Sequence, residues 1–396
     1  MTNQLRRMLT YRGIPLWRDV RVLQAIGQLV SVVFVVSLLV FFVANLRSAA
    51  DERGLSLGFD FLGQEAGFPI GESVIDYDPG DSFLHAFAVG IINTLKAAVL
   101  GVLLATVLGI VVGLARLSSN WLVRNLAGVY IQIIRNVPLL VQLFFWYFAV
   151  FQALPLVQQA IRLPGPVYLS NRGLFFVSPQ ATPSFDAWVA YLAAALAVAA
   201  ALRFALRWRE QRTGRPSHAV VGPWLAFAAI AAAGWLAADG SPVVRNVPVL
   251  GEFNFAGGGR ITPEFGALLV GLVLYTGAFI AEIVRAGVQS VSRGQREAAL
   301  AVGLSNAQTT RLVIFPQALR VIVPPLISQY LNLTKNSSLA VAIAYPELFT
   351  VGRTMINQAG RALPIFLLIM AAYLAMSLTW AAVGNLYNRR VQMVER

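Results

Sequence analysis

Cysteine is absent from this 396-residue chain, lysine occurs only at Lys96 and Lys335, histidine only at His85 and His218, and just 12% of the residues are charged. Without cysteine there are no disulfides, no thiolate zinc site and no thiol nucleophile, and two isolated histidines do not make a metal cluster. Neither lysine follows the glycine that a Walker A loop places before its lysine, and the run Gly257-Gly258-Gly259 lacks any phosphate-loop context. The chain is therefore not expected to be an ATPase itself. Paired carboxylates are nearly missing from the apolar stretches, so acid–base catalysis has little to stand on, and no catalytic residue, metal or cofactor is expected in this chain.

What is present is apolar: 57% of the residues are hydrophobic and the mean hydropathy is +0.67. A soluble domain carries about twice this share of charge. The expected fold class is an all-α polytopic membrane protein of eight transmembrane helices, each with roughly the 20 apolar residues that cross a hydrocarbon core. Helices are required because no barrel-like alternation exists to satisfy the backbone in lipid. The net charge of +13 gives no reason to expect nucleic acid, because the arginines flank apolar runs rather than covering one face.

Those arginines set the orientation. Residues 1–23 carry Arg6, Arg7, Arg12, Arg18 and Arg21 against the single acid Asp19 and are placed in the cytoplasm, with the apolar run Leu29 to Val43 as a retained anchor rather than a cleaved signal. The first span is 24–46. Residues 47–85 form an external loop whose first part, 47–81, has eight acids against Arg47 and Arg53. Spans at about 86–114 and 126–151 follow. Five prolines between Gln152 and Phe185 exclude a continuous helix and argue for an external loop over 152–187. A hairpin of two spans over 188–238 is joined by Arg207, Arg209, Arg212 and Arg215 on the cytoplasmic side, and 239–262 is an external linker. Spans at 263–284, 321–344 and 364–386 complete the count, and the tail 387–396, with Arg389, Arg390 and Arg396, returns inside. Both termini are thus cytoplasmic in a multi-pass membrane protein.

The most informative stretch outside the spans is Gly294 to Pro316, GQREAALAVGLSNAQTTRLVIFP, flanked by Arg285, Arg293, Arg296, Arg311 and Arg320. Arg296 to Val302 reads as a short helix closed by Gly303, Ser305 as the N-cap of a second helix, and Pro316 as its end. Glu297, Ala298, Ala299, Gly303, Ile314 and Pro316 stand at the spacing of the EAA loop of ABC-importer permeases, with Phe315 where that family usually has Leu. The resemblance implies that the coupling loop, 286–318, docks into a groove on a separate ATPase subunit and receives the stroke of ATP hydrolysis. Two further segments, IRNVPLLVQLFFWYF from Ile134 and YLNLTKNSSLAVAIAYPEL from Tyr330, resemble the polar amino-acid uptake permeases of the type I importers. On that likeness the five-helix core is 86–151 and 263–386, with three accessory helices. The extra first span, AGFPIGES from Ala66 to Ser73, and the inserted hairpin resemble the general L-amino-acid branch and the related glutamate/glutamine/aspartate/asparagine permeases of Gram-negative bacteria. In that branch two different permease chains pair in the bacterial inner membrane, two copies of an ATPase that holds ATP and Mg bind inside, and a periplasmic amino-acid-binding protein delivers substrate.

Within the spans, Ser328, Gln329, Asn332, Lys335 and Asn336 share one helical face. Lys335 lies about three turns from the external end, where an unpaired charge is costly in lipid. The face either lines a translocation pathway, with Lys335 drawing an anionic group such as an amino-acid α-carboxylate, or forms a helix–helix interface. The intramembrane charge favours the pathway. Pro324 and Pro325 are expected to kink this helix. In the third span Gln132, Arg135, Asn136 and Gln142 interrupt an aromatic run, with Pro138 as a kink point, and Arg135 and Gln142 join Gln329, Asn332, Lys335 and Asn336 as candidate pathway residues. Arg135, about 15 Å from the cytoplasmic end, either lines the inner pathway or snorkels. Lys96 is expected to snorkel, and Glu282 to pair with Arg285. The expected function is half of a heterodimeric pathway of an ATP-driven amino-acid importer. The alternatives are an ion-driven secondary transporter, for which Glu282 is the lone coupling carboxylate, and a membrane enzyme or scaffold.

Overall fold

In the computed structural model, residues 10–11, 14–15, 20–52, 58–214 and 220–391 are described. Arg6, Arg7, Arg12, Arg18, Arg53, Arg215, His218 and Arg396 lie outside the described residues. Helices predominate: α1 (Val20–Glu52), α2 (Phe83–Arg116), α3 (Trp121–Asn136), α4 (Leu139–Phe144), α5 (Phe185–Thr213), α6 (Val221–Ala237), α7 (Pro263–Gln289), α8 (Arg293–Ala301), α9 (Asn306–Thr309), α10 (Phe315–Asn336), α11 (Leu348–Ala359) and α12 (Ala362–Val391). Six described helices are long and apolar enough to cross a membrane, seven if the broken pair α3 and α4 is counted as one span, and α6 is a shorter apolar helix.

The chain forms two compact units. One holds the described residues up to Pro69 with Tyr77–Phe87 and Gly352–Ala371. In it α1 is exposed along its membrane window, while Phe61, Phe68 and Phe83 are buried together, with ring centroids 5.7 Å apart for Phe61 and Phe83. The other unit holds Ile70–Asp76, Ala88–Val351 and the rest of α12, and contains the large core. There the residues of α2, α4, α7 and α10 that face inward, among them Ala98, Leu143, Leu272, Ile280, Ile322 and Leu333, are almost fully buried.

Helix–helix approach in this core depends on glycine. A Cβ on Gly287 of α7 would lie 2.2 Å from Ile322 of α10, and one on Gly109 of α2 would lie 2.4 Å from Ile280 of α7. With no hydrophobic drive between helices in lipid, close van der Waals packing over such small residues supplies the attraction.

Three expectations are corrected. The third span, expected over 126–151 with a kink at Pro138, is broken rather than kinked there: α3 begins at Trp121, and α3 and α4 are bent by 104° at Val137–Pro138. Pro138 disfavours the helical region for the residue before it, and Val137 is extended, with φ −101° and ψ 128°. Pro316 does not end a helix. The chain runs helically from Asn306 to Ile343, and a widened π turn over Thr310–Ile314 precedes α10, with Pro316 in its first turn. A wider turn relieves the clash of a proline ring with the carbonyl four residues back. The fold is mostly rather than wholly helical. The two proline- and glycine-rich linkers build a four-stranded antiparallel sheet, in the order Gly259–Ile261, Gly173–Phe176, Val167–Ser170, Ile161–Leu163, and a second ladder pairs Ser178–Ala181 with Val243–Asn246. These strands are three or four residues long, too short to show a period in sequence, and their partners are more than 60 residues away for the second ladder.

Candidate coupling loop and polar helix

The loop between α7 and α10 is built from two reciprocal caps. At the end of α8, Gly303 has φ +88°, its N–H donates to the Leu300 carbonyl at 3.0 Å, and the Leu304 N–H reaches the Ala299 carbonyl at 3.2 Å. That is the Schellman pattern, and its left-handed residue is one that a side chain resists. Ser305 then opens the next helix with a full capping box: its hydroxyl accepts from the Gln308 N–H at 3.3 Å and the Gln308 side chain accepts from the Ser305 N–H at 2.9 Å. Arg296 donates to Asn306 across the turn, and Gln317 to Gln295, so α8 is tied to both following helices.

This turn presents apolar surface outward. Ala299 is buried beneath it, yet Val302 is 78% exposed and Leu312 60%, with Leu300 and Phe315 also exposed. Glu297 and Ala298 are exposed beside them, whereas Ile314 is half-buried and Pro316 exposed. A rigid, outward apolar knob at a charged face suits a protein groove rather than water.

The loop leads without interruption into α10, whose polar side chains divide by depth. Ser328, Asn332 and Lys335 are exposed on the surface of this chain, and Gln329 and Asn336 are half-buried. The opposite side is held by polar contacts: the Tyr330 and Thr106 hydroxyls are 2.9 Å apart, and the Trp380 indole N–H donates to Thr334 at 3.0 Å. Pro324 and Pro325 lie inside α10, and each removes one helical hydrogen bond from the stretch between the loop and Lys335.

Gln142 and Arg135 are placed elsewhere. Gln142 is buried, and its amide N–H groups bind the carbonyls of Ile134 at 2.9 Å and Val137 at 3.0 Å, stapling the break between α3 and α4. Arg135 lies with its guanidinium 4.9 Å from the Phe279 ring centroid and faces a cavity shared with Arg116, Gln132, Glu282 and Arg285. No hydrogen bond or ring contact among the described residues joins either side chain to the α10 stripe. The Glu282 carboxylate is gripped by Arg285, whose Nε is 3.0 Å from both oxygens.

Two carboxylates, Glu72 half-buried and Glu347 wholly buried, were not expected from the sequence. Glu72, in the AGFPIGES stretch, is bound by the Lys96 ammonium and the Thr262 hydroxyl, while Asn93 donates to the Glu72 carbonyl at 2.8 Å. Lys96 also sits 4.1 Å above the Phe265 ring. It is paired, not simply snorkelling. Glu347 is wholly buried and caps α11, accepting from the N–H groups of Phe349 at 2.9 Å and Thr350 at 2.8 Å and from the Tyr373 hydroxyl at 2.7 Å. Burial pushes its carboxyl above the usual range despite these donors. A proline followed by an acid just before an apolar helical run, Pro346-Glu347, was the available signal for the second site; the first depended on a contact across 24 residues that no local pattern encodes.

The chain resembles known proteins over nearly all of its length. Residues 216–393 match the family described as the binding-protein-dependent transport system inner membrane component. A putative amino-acid ABC transporter permease of Escherichia coli, YhdX, is 43% identical over 98% of this chain and 99% of its own length. The general L-amino acid transport system permease AapQ of Rhizobium johnstonii is 42% identical over 93% of this chain and 92% of its own. The glutamate/glutamine/aspartate/asparagine transport system permease BztB of Rhodobacter capsulatus is 38% identical over 93% of both. Similarity of this extent, covering 93–98% of the chain, leaves one conclusion: the chain belongs to the binding-protein-dependent permeases of amino-acid ABC transporters.

Proposed function

We propose that this chain is one half of a heterodimeric translocation pathway, and that it is driven by a separate ATPase docked on the loop from Glu297 to Pro316. The observation that carries the reading is the direct continuity of two exposed surfaces that do not belong in their solvents. An apolar knob around Val302 and Leu312 faces water, and a polar stripe with Lys335 stands on the exposed side of an apolar helix. Each needs a protein partner or, for the stripe, a water-filled path. A second permease beside α10 and an ATPase groove around α8 supply both.

In this reading the nucleotide and Mg stay on the ATPase dimer, whose closure displaces α8. The displacement passes through the capping box and the π turn into α10 and rocks α7 and α10 together, since Gly287 and Ile322 lock them at close range. This is rigid-body gating between inward- and outward-facing states. Lys335, whose ammonium has no carboxylate partner among the described residues, attracts the α-carboxylate of an amino acid handed over by a periplasmic binding protein. The count of eight spans, with α6 as the shortest, and the cytoplasmic placement of both termini belong to the same reading. The commitment of Glu282 to Arg285 argues against its use as an ion-coupling carboxylate.

The test is purification from the native membrane in mild detergent, followed by ATPase assay in liposomes with the binding protein added. A second permease and an ATPase that co-purify, with hydrolysis stimulated by amino acids, support the reading. A lone chain whose uptake survives ATP depletion and collapses with an ionophore defeats it.

A further inference from the structure

Where α2 ends and α3 and α7 run past it, three guanidinium groups converge on a cavity of about 290 Å³. Arg116 comes from the last turn of α2, Arg135 from the last turn of α3 and Arg285 from α7, and the single carboxylate among them is Glu282. Space for the cluster is made by Gly128, on which a Cβ would lie 3.3 Å from the Arg116 guanidinium carbon.

The charges do not balance. Glu282 binds Arg285 with both oxygens, and neither Arg116 nor Arg135 has a carboxylate within ion-pair distance among the described residues. Two guanidinium groups without an ion-pair partner face one cavity and repel each other, and an anion placed between them offsets that cost. Planar guanidinium forks match the oxygens of a phosphate.

A zwitterionic amino acid fits this cavity poorly. Its ammonium would need a carboxylate, and the one present is already taken by Arg285. The neighbouring face of α3 completes the picture: Leu122, Leu126, Val129 and Ile133 are exposed, about a third of a turn around the helix from the face that bears Gly128, Gln132 and Arg135. A polar cavity flanked by an apolar helical face has the layout of a headgroup site with a bed for an acyl chain.

We propose that this cavity binds the phosphate of an anionic phospholipid of the inner leaflet, with the acyl chain along the exposed face of α3. The leaflet assignment rests on the cytoplasmic placement of the coupling loop proposed above. Basic pockets between helices at that side are where anionic headgroups are drawn.

The experiment is native mass spectrometry of the purified transporter, with its co-purifying subunits, titrated with short-chain phosphatidylglycerol or phosphatidylcholine. The wild type should retain phosphatidylglycerol preferentially, and Arg116→Gln and Arg135→Gln should each weaken its binding roughly fivefold. Gly128→Leu keeps every charge but fills the cavity, and should do the same. Inorganic phosphate that displaces phosphatidylglycerol assigns the cavity to free phosphate as well as to a headgroup, and failure to displace it assigns the lipid alone. Equal retention of the two lipids by the wild type, or retention unchanged in all three variants, overturns the proposal. Amino-acid-stimulated ATPase is read in parallel: its absence with lipid selectivity intact defeats the importer reading and leaves this one standing.

Discussion

Helices α7 and α5 are nearly equal in apolar character, with mean window hydropathies of 2.2 and 2.0, yet 56% of the first window is buried in the chain and 6% of the second. Hydropathy measures transfer from water to an apolar medium, and lipid and protein interior are equivalent in that respect. What separates core from accessory helix is the spacing of small residues. Helix α7 meets its neighbours through glycines on two sides: Gly277 against Leu108 and Gly287 against Ile322. In the α5–α6 hairpin, one close approach, Gly234 against Tyr191, joins the two helices, supported by the Trp188 indole donating to the Ala231 carbonyl at 3.1 Å. The core helices carry the loop from Gly294 to Pro316, and the hairpin leaves most of its apolar surface exposed.

The difference can be broken most sharply at Gly287. Gly287→Leu forces a side chain where a Cβ already comes within 2.2 Å of Ile322, and overpacking of this kind costs about 3 kcal/mol or more. Loss of the monodisperse protein in detergent is expected. Gly234→Leu, pressing on the Cβ and Cγ of Tyr191, disturbs a hairpin whose α5 window is only 6% buried and should lower the melting temperature by less, and equal damage at the two sites would dissolve the distinction drawn here.

At Glu72 the core is pinned by charge rather than by shape. Glu72→Gln leaves the Lys96 ammonium beside Phe265 without its carboxylate, at an expected cost of about 2 kcal/mol, whereas the pair Glu72→Gln with Lys96→Met should recover part of it. Strict additivity in that thermal-shift cycle would show the pair to be energetically idle.

Gly303→Asp tests the loop and not the packing. Its φ of +88° disfavours any side chain by roughly 1–2 kcal/mol, which is about tenfold in an equilibrium that uses the turn. Uptake should fall while insertion and thermal stability stay near the wild type. Uptake at the wild-type level in a correctly inserted variant would remove the loop from the coupling mechanism.

The smallest effect is expected from removing the hairpin altogether. Because Ala181 and Val243 are register partners in an antiparallel ladder, residues 182–242 can be replaced by Asn-Gly, a two-residue turn that matches the strand twist. Co-purification of the other subunits and stimulated ATPase should persist. Their loss would place the hairpin inside the working assembly.

Much of this was legible in the chain itself. Apolar length located every long helix, because crossing or filling an apolar layer needs about 20 residues whatever the helix touches. The turn at Gly303 and the cap at Ser305 could be read because capping is a matter of three or four consecutive residues. The polar face of α10 followed from helical period alone. Less was visible where a residue's role depends on a partner far along the chain. Gln142 read as a pathway side chain, and its attachment to Ile134 and Val137 became apparent only once Pro138 had turned the backbone by 104°. Pro316 read as a stop, and a π turn let the helix continue.

The sequence by itself determined that this protein lives in a membrane and where a small helical loop interrupts the spans, since each depends on composition or on a local period. The tertiary structure alone decided which equally apolar helices form the core, that Glu72 clasps Lys96, and that Arg116, Arg135 and Arg285 share one cavity with a single carboxylate. These are contacts between residues tens to hundreds of positions apart, and their energies depend on distance in space, which no linear pattern records.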